Sequence, residues 1–411
     1  MHPRLLILSA CLLGLLSTIG AALPYPILPP LFAATAHNSF NHFLGLPPKL
    51  LFGLALAINP LGLLIGSALL GPLSDRYGRR PMLLLTTLSC AACHALTAIA
   101  LLLQSYPLFI LARFAAGLTE GNAPVARAML ADQLDGELKV KAFAWFNSAL
   151  YMGWLIGPMV AALTIGFGLT VPFWLAMGAL LLTAAMVALA IQRQAVAAVT
   201  QGVWQLVRER HAFTLLAHRE LRTLFAIQLC LTLGVTAFYE FYPLWLVEFA
   251  DMRSQGIAVV TAALCAVMAG SSSVLERFGA GSPLRRAALF ASLVGLSLML
   301  ISASGAKLGI AAIVMAGLPI ALYNAVMPAY CSDRFGHLGQ GAVMGLLATI
   351  FCIANILVAL FGSLLTLLDT RLVLVAGALF ALGSAWGLKR WQADSDSAPA
   401  DTHPIQQSTP T

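Results

Sequence analysis

The 411-residue chain is 60% hydrophobic and only 9% charged, with a net charge of +7 at pH 7. Soluble domains carry about a quarter charged residues, so this composition excludes an ordinary soluble globule. Apolar runs of roughly 18 residues or more recur along the whole chain, and each can cross a ~30 Å hydrocarbon core as a helix. The sequence therefore predicts an all-α membrane protein.

Twelve apolar runs are long enough to serve as membrane spans, and we number them 1 to 12 along the chain. They cover residues 5–34, 49–70, 81–103, 107–131, 142–165, 171–191, 222–248, 256–275, 286–302, 307–330, 340–366 and 370–391. The longest polar stretch between spans separates the first six from the last six. We therefore predict an N-terminal six-helix bundle (1–191), a cytoplasmic linker (192–221), a C-terminal six-helix bundle (222–391) and a disordered cytoplasmic tail (392–411).

The placement of lysine and arginine predicts the orientation in the membrane. Of the 23 such residues, two lie inside span 4, four lie at links away from the N-terminal side (Lys49, Arg253, Lys307 and Arg371), and the other seventeen lie on the N-terminal side. Cytoplasmic links are enriched in Lys and Arg, so both termini are expected in the cytoplasm. The expected location, as part of the lead hypothesis given below, is the inner membrane. The positive net charge then reflects orientation rather than nucleic-acid binding.

A sparse internal repeat supports two related halves. The run Asp75-Arg76-Tyr77-Gly78 recurs as Glu276-Arg277-Phe278-Gly279, and Asp132 recurs as Asp333, both at an offset of 201 residues. Two six-helix halves around a central cavity are a known architecture for secondary transporters. The sequence therefore predicts two pseudo-symmetric six-helix bundles.

The link between spans 2 and 3 carries the most specific motif in the chain. Residues 71–80, GPLSDRYGRR, resemble the signature of the major facilitator superfamily, G-x-L-[AS]-D-[RK]-x-G-[RK]-[RK], at every fixed position. The resemblance implies the major facilitator fold of twelve helices and secondary transport by alternating access. It also implies that Asp75 and the glycines form a cytoplasmic latch, with Arg79 or Arg80 reaching Asp132. The alternative is that these charges only set orientation. The candidate gate residues are Gly71, Asp75, Arg76, Gly78, Arg79, Arg80 and Asp132.

Three shorter motifs resemble those of the twelve-helix proton-coupled drug antiporters within this superfamily. They are Ile19-Gly20 followed after five residues by Pro26-Ile27-Leu28-Pro29, Arg113-x3-Gly117 and Gly153-x3-Gly157-Pro158. Ala116 replaces a glutamine in the second, and Ala161-Ala162 replace a glycine pair after the third. Small residues at Gly153 and Gly157 let helices cross closely and Pro158 bends the helix. The resemblance implies that this crossing lies between the two halves and controls leak.

Arg113, Glu120 and Glu240 lie deep inside spans, where charge is costly and usually faces a cavity or a partner. Arg113 and Glu120 share one face of span 4 and can face the central pathway, with Glu120 exchanging protons or contacting substrate; the alternative is a buried structural ion pair. Glu240 in span 7 lies among Tyr239, Tyr242 and Trp245. This combination suits an amphipathic, cationic substrate, although an interfacial aromatic belt explains it equally.

Several polar side chains inside apolar spans can line a central cavity, and hydrogen bonds between helices explain them nearly as well. They are Tyr25, Asn59, Asn147, Asn324 and Asn355. His94 in span 3 is expected to be a packing residue. The seven cysteines show no spacing typical of disulfides or a metal site.

The chain lacks a nucleophile elbow, a phosphate loop and a metal-spaced histidine pair, so it is not expected to be an enzyme or to need a cofactor. The lead hypothesis is a proton-coupled antiporter that exports small amphipathic molecules such as drugs, siderophores or metabolites. The alternatives are a proton-coupled importer of a sugar, organic acid or metal chelate, and a non-transporting membrane receptor or assembly factor. The expected partners are a small-molecule substrate, protons and the lipid bilayer, with no nucleic acid, and the chain is expected to be monomeric.

Overall fold

The computed structural model describes residues 3–33, 38–190, 219–271, 282–335 and 340–397. Within these ranges the chain forms helices and no strand, in twelve successive segments that we number α1 to α12 after the predicted spans. Their bounds are α1 Pro3–Ala22, α2 Pro48–Tyr77, α3 Arg79–Leu102, α4 in two parts (Tyr106–Glu120 and Ala123–Gln133), α5 Gly136–Thr164, α6 Val171–Ala190, α7 Arg219–Ala250, α8 Ser254–Gly270, α9 Pro283–Ala303, α10 Ala306–Phe335, α11 Gln340–Leu357 and α12 Thr370–Ser397.

Ten of the described helical segments are long and apolar enough to cross a membrane. The other two predicted spans differ for local reasons: α4 is interrupted after Glu120, and α8 has 17 residues. Since twelve crossings return the chain to its starting side, the start of α1 and the end of α12 lie at the same face. We call it the terminal face and the other the opposite face. The predicted all-α membrane fold is confirmed.

Prolines and glycines set the interruptions. Span 1 is not one long helix, because the prolines after Ala22 split its end into the short turns Pro24–Ile27 and Pro29–Phe32. A proline lacks the backbone N–H that would continue the helix. Between α2 and α3, Gly78 has φ of 94°, a backbone conformation that favours glycine. The span 11 helix continues past Leu357 through a π-helical turn, Val358–Gly362, and a short helix, Ser363–Thr366.

Corresponding helix pairs pack together in both halves. The pairs α1–α5, α2–α4 and α3–α6 of the first half have counterparts in α7–α11, α8–α10 and α9–α12 of the second. A separate apolar cluster joins the halves, with Phe52 and Leu23 on one side and Phe241 and Ala359 on the other. The chain therefore has two six-helix bundles with a shared apolar interface.

Two predicted regions differ from the structure or lie outside it. The last helix continues to Ser397, six residues into the predicted disordered tail. Just before the tail, Trp391 packs against the core of the second half. Within the tail, Gln392 and Ala393 have a high helix propensity, so the helix continues. Residues 398–411, most of the predicted linker and the repeat at 276–279 lie outside the described residues.

Candidate functional site

Glu120 lies at the centre of a buried polar cluster inside the first half. It is 3% exposed and about 21 Å along α4 from Tyr106. Asn59 of α2 donates from Nδ2 to Glu120 Oε2 at 2.8 Å, and also to the backbone carbonyl of Arg113 at 3.2 Å. From α3, His94 Nε2 lies 3.4 Å and Cys90 Sγ 4.0 Å from Glu120 Oε1. Glu120 therefore contacts two neighbouring helices through three side chains.

A close crossing of α2 and α4 makes this cluster possible. A Cβ added at Gly117 would overlap the backbone carbonyl of Asn59, and one added at Gly66 would overlap the carbonyl of Leu118. Two helices can approach this closely only where small residues face each other. The glycine contacts thus bring Asn59 within hydrogen-bonding distance of the carboxylate.

Arg113 ties α4 to the broken end of α1. It is 1% exposed, and its guanidinium donates to the carbonyls of Gly20 at 3.3 Å and Ala21 at 3.2 Å. In a continuous helix the Gly20 carbonyl would accept from residue 24, but Pro24 has no N–H. Because of Pro24, the Gly20 carbonyl has no backbone N–H partner in the helix, and the Arg113 guanidinium donates to it instead.

Glu240 lies at the junction of the two halves. It is 1% exposed, and neither carboxylate oxygen has a hydrogen-bond partner among the described residues. Tyr25, in the short turn Pro24–Ile27 that follows α1, lies near both Glu240 and Arg113. The Tyr25 hydroxyl donates to Asn355 Oδ1 on α11 at 3.0 Å, which joins the halves directly.

Aromatic rings flank this junction. Trp154 of α5 lies with its ring centroid 4.6 Å from Phe351 of α11 and 6.3 Å from Tyr25. Asn355 is fixed by a second bond, from its Nδ2 to the Phe351 carbonyl at 2.7 Å. The junction therefore combines a carboxylate, a tyrosine, an asparagine and aromatic surface drawn from both halves.

The aromatic residues that neighbour Glu240 in sequence lie elsewhere. Tyr242 and Trp245 are buried in the core of the second half, where the Tyr242 hydroxyl pairs with Thr261 at 2.8 Å. Tyr239 packs at the edge of the same core and donates to Met268 Sδ at 3.2 Å. On a helix, positions 1, 2 and 5 residues away are turned by ~100°, ~200° and ~140°. Helical geometry therefore separates these rings from Glu240.

The terminal face carries the predicted contact between the loop motif and α4. Arg79 Nε donates to Asp132 Oδ2 at 3.1 Å, and Arg79 also pairs with Asp75 and Ser74. Arg80 instead donates to the carbonyl of Ala188 on α6 at 2.7 Å. Of the other gate candidates, Gly78 provides the turn, Gly71 faces Pro124, and Arg76 lies over the ring of Tyr77. These described contacts all lie within the first half.

The opposite face carries contacts between the halves. Lys49 Nζ at the start of α2 lies 2.7 Å from Glu248 Oε1 on α7 and 2.7 Å from the Thr366 carbonyl after α11. Nearby, a Cβ at Gly53 would overlap Ser363 and the Ala359 carbonyl, so the backbones are in close contact. The halves are therefore closed together at this face.

The glycines of α5 face α1, not the second half. A Cβ at Gly153 would overlap Thr18, and one at Gly157 would meet Ala22 and Ile19. The spacing of four residues predicts one shared face but does not say which helix that face meets. The expectation that this crossing lies between the halves is therefore wrong, although α5 does contact α8 through the Leu155 carbonyl, which accepts from Cys265 at 3.4 Å.

Comparison with known proteins identifies the fold family. The family described as Major Facilitator Superfamily matches residues 10–359. The chain is a member of the major facilitator superfamily. It is 30% identical over 169 residues to the class B tetracycline resistance protein of Escherichia coli, a match that covers 41% of this chain and 39% of that protein. A class C tetracycline resistance protein of Escherichia coli is 31% identical over 38% of this chain and 37% of its own length.

These curated matches thus span about two fifths of each relative's length.

Solved structures match over nearly the whole chain at lower identity. The human organic anion transporter MFSD10 aligns with a TM-score of 0.68 at 18% identity, covering 94% of this chain and 100% of that one. A D-xylose–proton symporter aligns with a TM-score of 0.71 at 14% identity, covering 94% and 97%. These likenesses show the shared fold. The chain is accordingly a multi-pass membrane protein of the major facilitator superfamily.

The remaining predicted polar residues of the chain have different surroundings. Asn147 accepts from Arg127 Nη2 at 3.0 Å inside the first half, whereas Asn324 on α10 is exposed. Of the predicted cavity residues, Tyr25 and Asn355 are joined directly, and Asn59 belongs to the Glu120 cluster.

Cys90, His94 and Trp154 contribute to these sites, but the sequence analysis does not predict their roles. Cys90 and His94 are four residues apart and so share a helix face, and Trp154 follows Gly153 directly in the α5 motif. Which helix lies opposite each of them is visible only in the fold.

Proposed function

We propose that this protein is a proton-coupled antiporter that exports small amphipathic molecules carrying a positive charge. The observation that carries the proposal is Glu240, a buried carboxylate at the junction of the halves with neither oxygen hydrogen-bonded among the described residues. Removing an ionised carboxylate from water is costly unless a donor or a positive charge compensates it. At Glu240 that compensation can come from a proton or from a cationic group of the substrate.

Competition at a single carboxylate produces exchange. When a proton occupies Glu240, the site is neutral and holds a cation weakly; when substrate occupies it, the proton has left. If the halves change their opening only with the carboxylate neutralised, each cycle carries a proton one way and a substrate the other. Such a mechanism needs no nucleotide.

The aromatic surroundings support an amphipathic substrate. Trp154 and Phe351 offer ring surface beside Tyr25, and a cation attached to an apolar body binds well between aromatic faces and a carboxylate. Relatives named tetracycline resistance proteins, at about 30% identity over part of the chain, support export of drug-sized molecules. Drugs, siderophores and metabolites stay open as cargo.

We assign different tasks to the other candidate residues. Arg113 and Glu120 hold the broken end of α1 against α2, α3 and α4, and so position Tyr25 at the junction. The pairs Lys49–Glu248 and Tyr25–Asn355 cross between the halves and must separate when the opposite face opens. Arg79 and Asp132 order the terminal face as a latch.

The charge distribution supports an orientation. Lysine and arginine are concentrated at the terminal-face links, which favours a cytoplasmic position for that face and for both termini in the inner membrane. With protons entering the cell down their gradient, an antiporter in this membrane moves its substrate outward.

The sign of an imposed pH gradient tests the proposal. The full chain is purified, reconstituted into vesicles and given a gradient with either the inside or the outside acidic, and uptake is followed for tetracycline, a cationic dye, an organic anion and xylose. We expect tetracycline or the dye to accumulate when the inside is acidic, because leaving protons then drive the substrate in.

Accumulation of any probe only when the outside is acidic would indicate symport and replace the proposal with the importer. If no probe moves and none dissipates the gradient, proton-coupled antiport of this substrate class is contradicted. Empty vesicles give the background rate.

A further inference from the structure

A second set of reactive side chains lies away from the junction, inside the first half. Cys90 and His94 occupy one face of α3, and Glu120 comes from α4 opposite them. The thiol sulfur, a ring nitrogen and a carboxylate oxygen all lie within 4.8 Å of one another, and all three residues are buried. These three atom types are those that Zn²⁺ takes as ligands in proteins.

The separations fit one small ion after minor adjustment. With metal–ligand bonds of about 2.0–2.3 Å, two ligand atoms on a tetrahedral ion are about 3.4–3.6 Å apart. His94 Nε2 and Glu120 Oε1 are 3.4 Å apart, and Cys90 Sγ and the same oxygen are 4.0 Å apart. A small movement of the Cys90 side chain closes the difference.

The three ligand atoms make only long contacts with one another, since the Cys90 thiol donates to Glu120 Oε1 at 4.0 Å and His94 Nε2 lies 3.4 Å from the same oxygen. The Nδ1 atom of the buried His94 has no hydrogen-bond partner among the described residues, which is costly for a polar group in an apolar core. Asn59 donates to Glu120 Oε2, so that bond orients the carboxylate while Oε1 faces His94 and Cys90. Outer hydrogen bonds of this kind typically orient metal ligands.

We propose that Cys90, His94 and Glu120 form a binding site for one divalent cation of the zinc class. A thiolate, an imidazole and one carboxylate select Zn²⁺ or Co²⁺ over Mg²⁺ and Ca²⁺, which require oxygen ligands. The ion ties α3 to α4 near the interruption after Glu120. The site is independent of the transport proposal, because Glu240 is not part of it.

Binding has a defined proton balance. The metal ion bonds to the Cys90 sulfur as the S–H bond breaks, and that proton goes to water; no electron is transferred. The thiolate adds a second negative charge to the cluster beside that of Glu120. Arg113, the neighbouring cation, has its guanidinium turned to the carbonyls of Gly20 and Ala21.

Cobalt absorption tests the site directly in the full-length protein. The chain is purified in detergent through an affinity tag without histidine, stripped with chelator and titrated with Co²⁺. We expect about one equivalent to bind, with a thiolate-to-cobalt charge-transfer band that Zn²⁺ abolishes and Mg²⁺ does not. A second preparation is grown with added Co²⁺ so that folding occurs in the presence of the ion, and its metal content is measured.

Variants separate this site from other metal binding. Cys90→Ser is expected to remove the charge-transfer band, and His94→Gln to weaken Co²⁺ binding at least tenfold. The half-buried Cys93 on the same helix supplies the matched control, since Cys93→Ser should leave the band intact. Monodispersity and circular dichroism establish that each variant is folded. A band that persists in Cys90→Ser, or the absence of cobalt from both wild-type preparations, would overturn the proposal.

Discussion

Each half of the described structure contains a fully buried glutamate, Glu120 in the first and Glu240 in the second, and the two have opposite surroundings. Glu120 of the first half is contacted by Asn59, His94 and Cys90 from two neighbouring helices. Glu240 of the second half faces the other bundle, and its oxygens have no hydrogen-bond partner among the described residues. A carboxylate with fixed partners stabilises one arrangement, whereas one without them is free to exchange ligands. We therefore assign a structural role to Glu120 and the exchange of protons for substrate to Glu240.

The largest expected effect is on stability, and it separates these two residues. Glu120→Gln removes the negative charge near the buried Arg113, and we expect a loss of about 3–5 kcal/mol, because an uncompensated buried charge is strongly destabilising. Glu240→Gln removes a carboxylate that has no described donor, so stability should be unchanged or higher. Thermal unfolding of both purified variants in the same detergent measures the difference. Equal destabilisation by both would contradict the assignment.

A smaller loss of stability is expected where α2 crosses α4. Gly117→Ala places a Cβ on the carbonyl of Asn59 and should cost about 1–3 kcal/mol, as overpacking typically does. Gly178 on α6 is the control, because a Cβ there meets nothing within 4 Å. Gly178→Ala should be neutral or stabilising by up to about 1 kcal/mol. If both glycines tolerate alanine equally, the close crossing does not support the Glu120 cluster.

The smallest expected effect concerns the hydroxyl that joins the halves. Tyr25→Phe removes only the bond to Asn355, worth about 1 kcal/mol, and should change the substrate transport rate about fivefold or less while leaving the fold intact. Tyr106→Phe is the matched control, since its hydroxyl bonds to the Leu51 carbonyl within one half. Initial transport rates in vesicles compare the two. A larger change in transport rate in Tyr106→Phe than in Tyr25→Phe would contradict a particular role of the Tyr25–Asn355 bond in the movement of the halves.

Much of the fold follows from the sequence because the membrane restricts the choices. Long apolar runs must be helices in lipid, so the spans, the paired halves and the loop motif can all be recognised without coordinates. The Arg79–Asp132 contact is also predictable, since a charged loop and a neighbouring helix end leave few partners for each other.

What the sequence does not reveal is which helix faces which. The rings at 239, 242 and 245 are close to Glu240 along the chain, but helical rotation turns them into the core of the second half. The α5 glycines define a face without naming α1 as its partner. His94 looks like a packing residue until Glu120 is placed opposite it. Each of these surroundings depends on contacts between helices far apart in sequence.

Proton coupling in Glu240→Gln tests the central claim most directly. The variant is reconstituted beside wild type and beside Glu137→Gln, which alters an exposed glutamate paired with Lys141 on the same helix. Substrate exchange without a gradient is measured first, and accumulation driven by an acidic interior second. The account predicts that Glu240→Gln keeps exchange but loses gradient-driven accumulation, while Glu137→Gln keeps both. Undiminished gradient-driven accumulation in Glu240→Gln would contradict it.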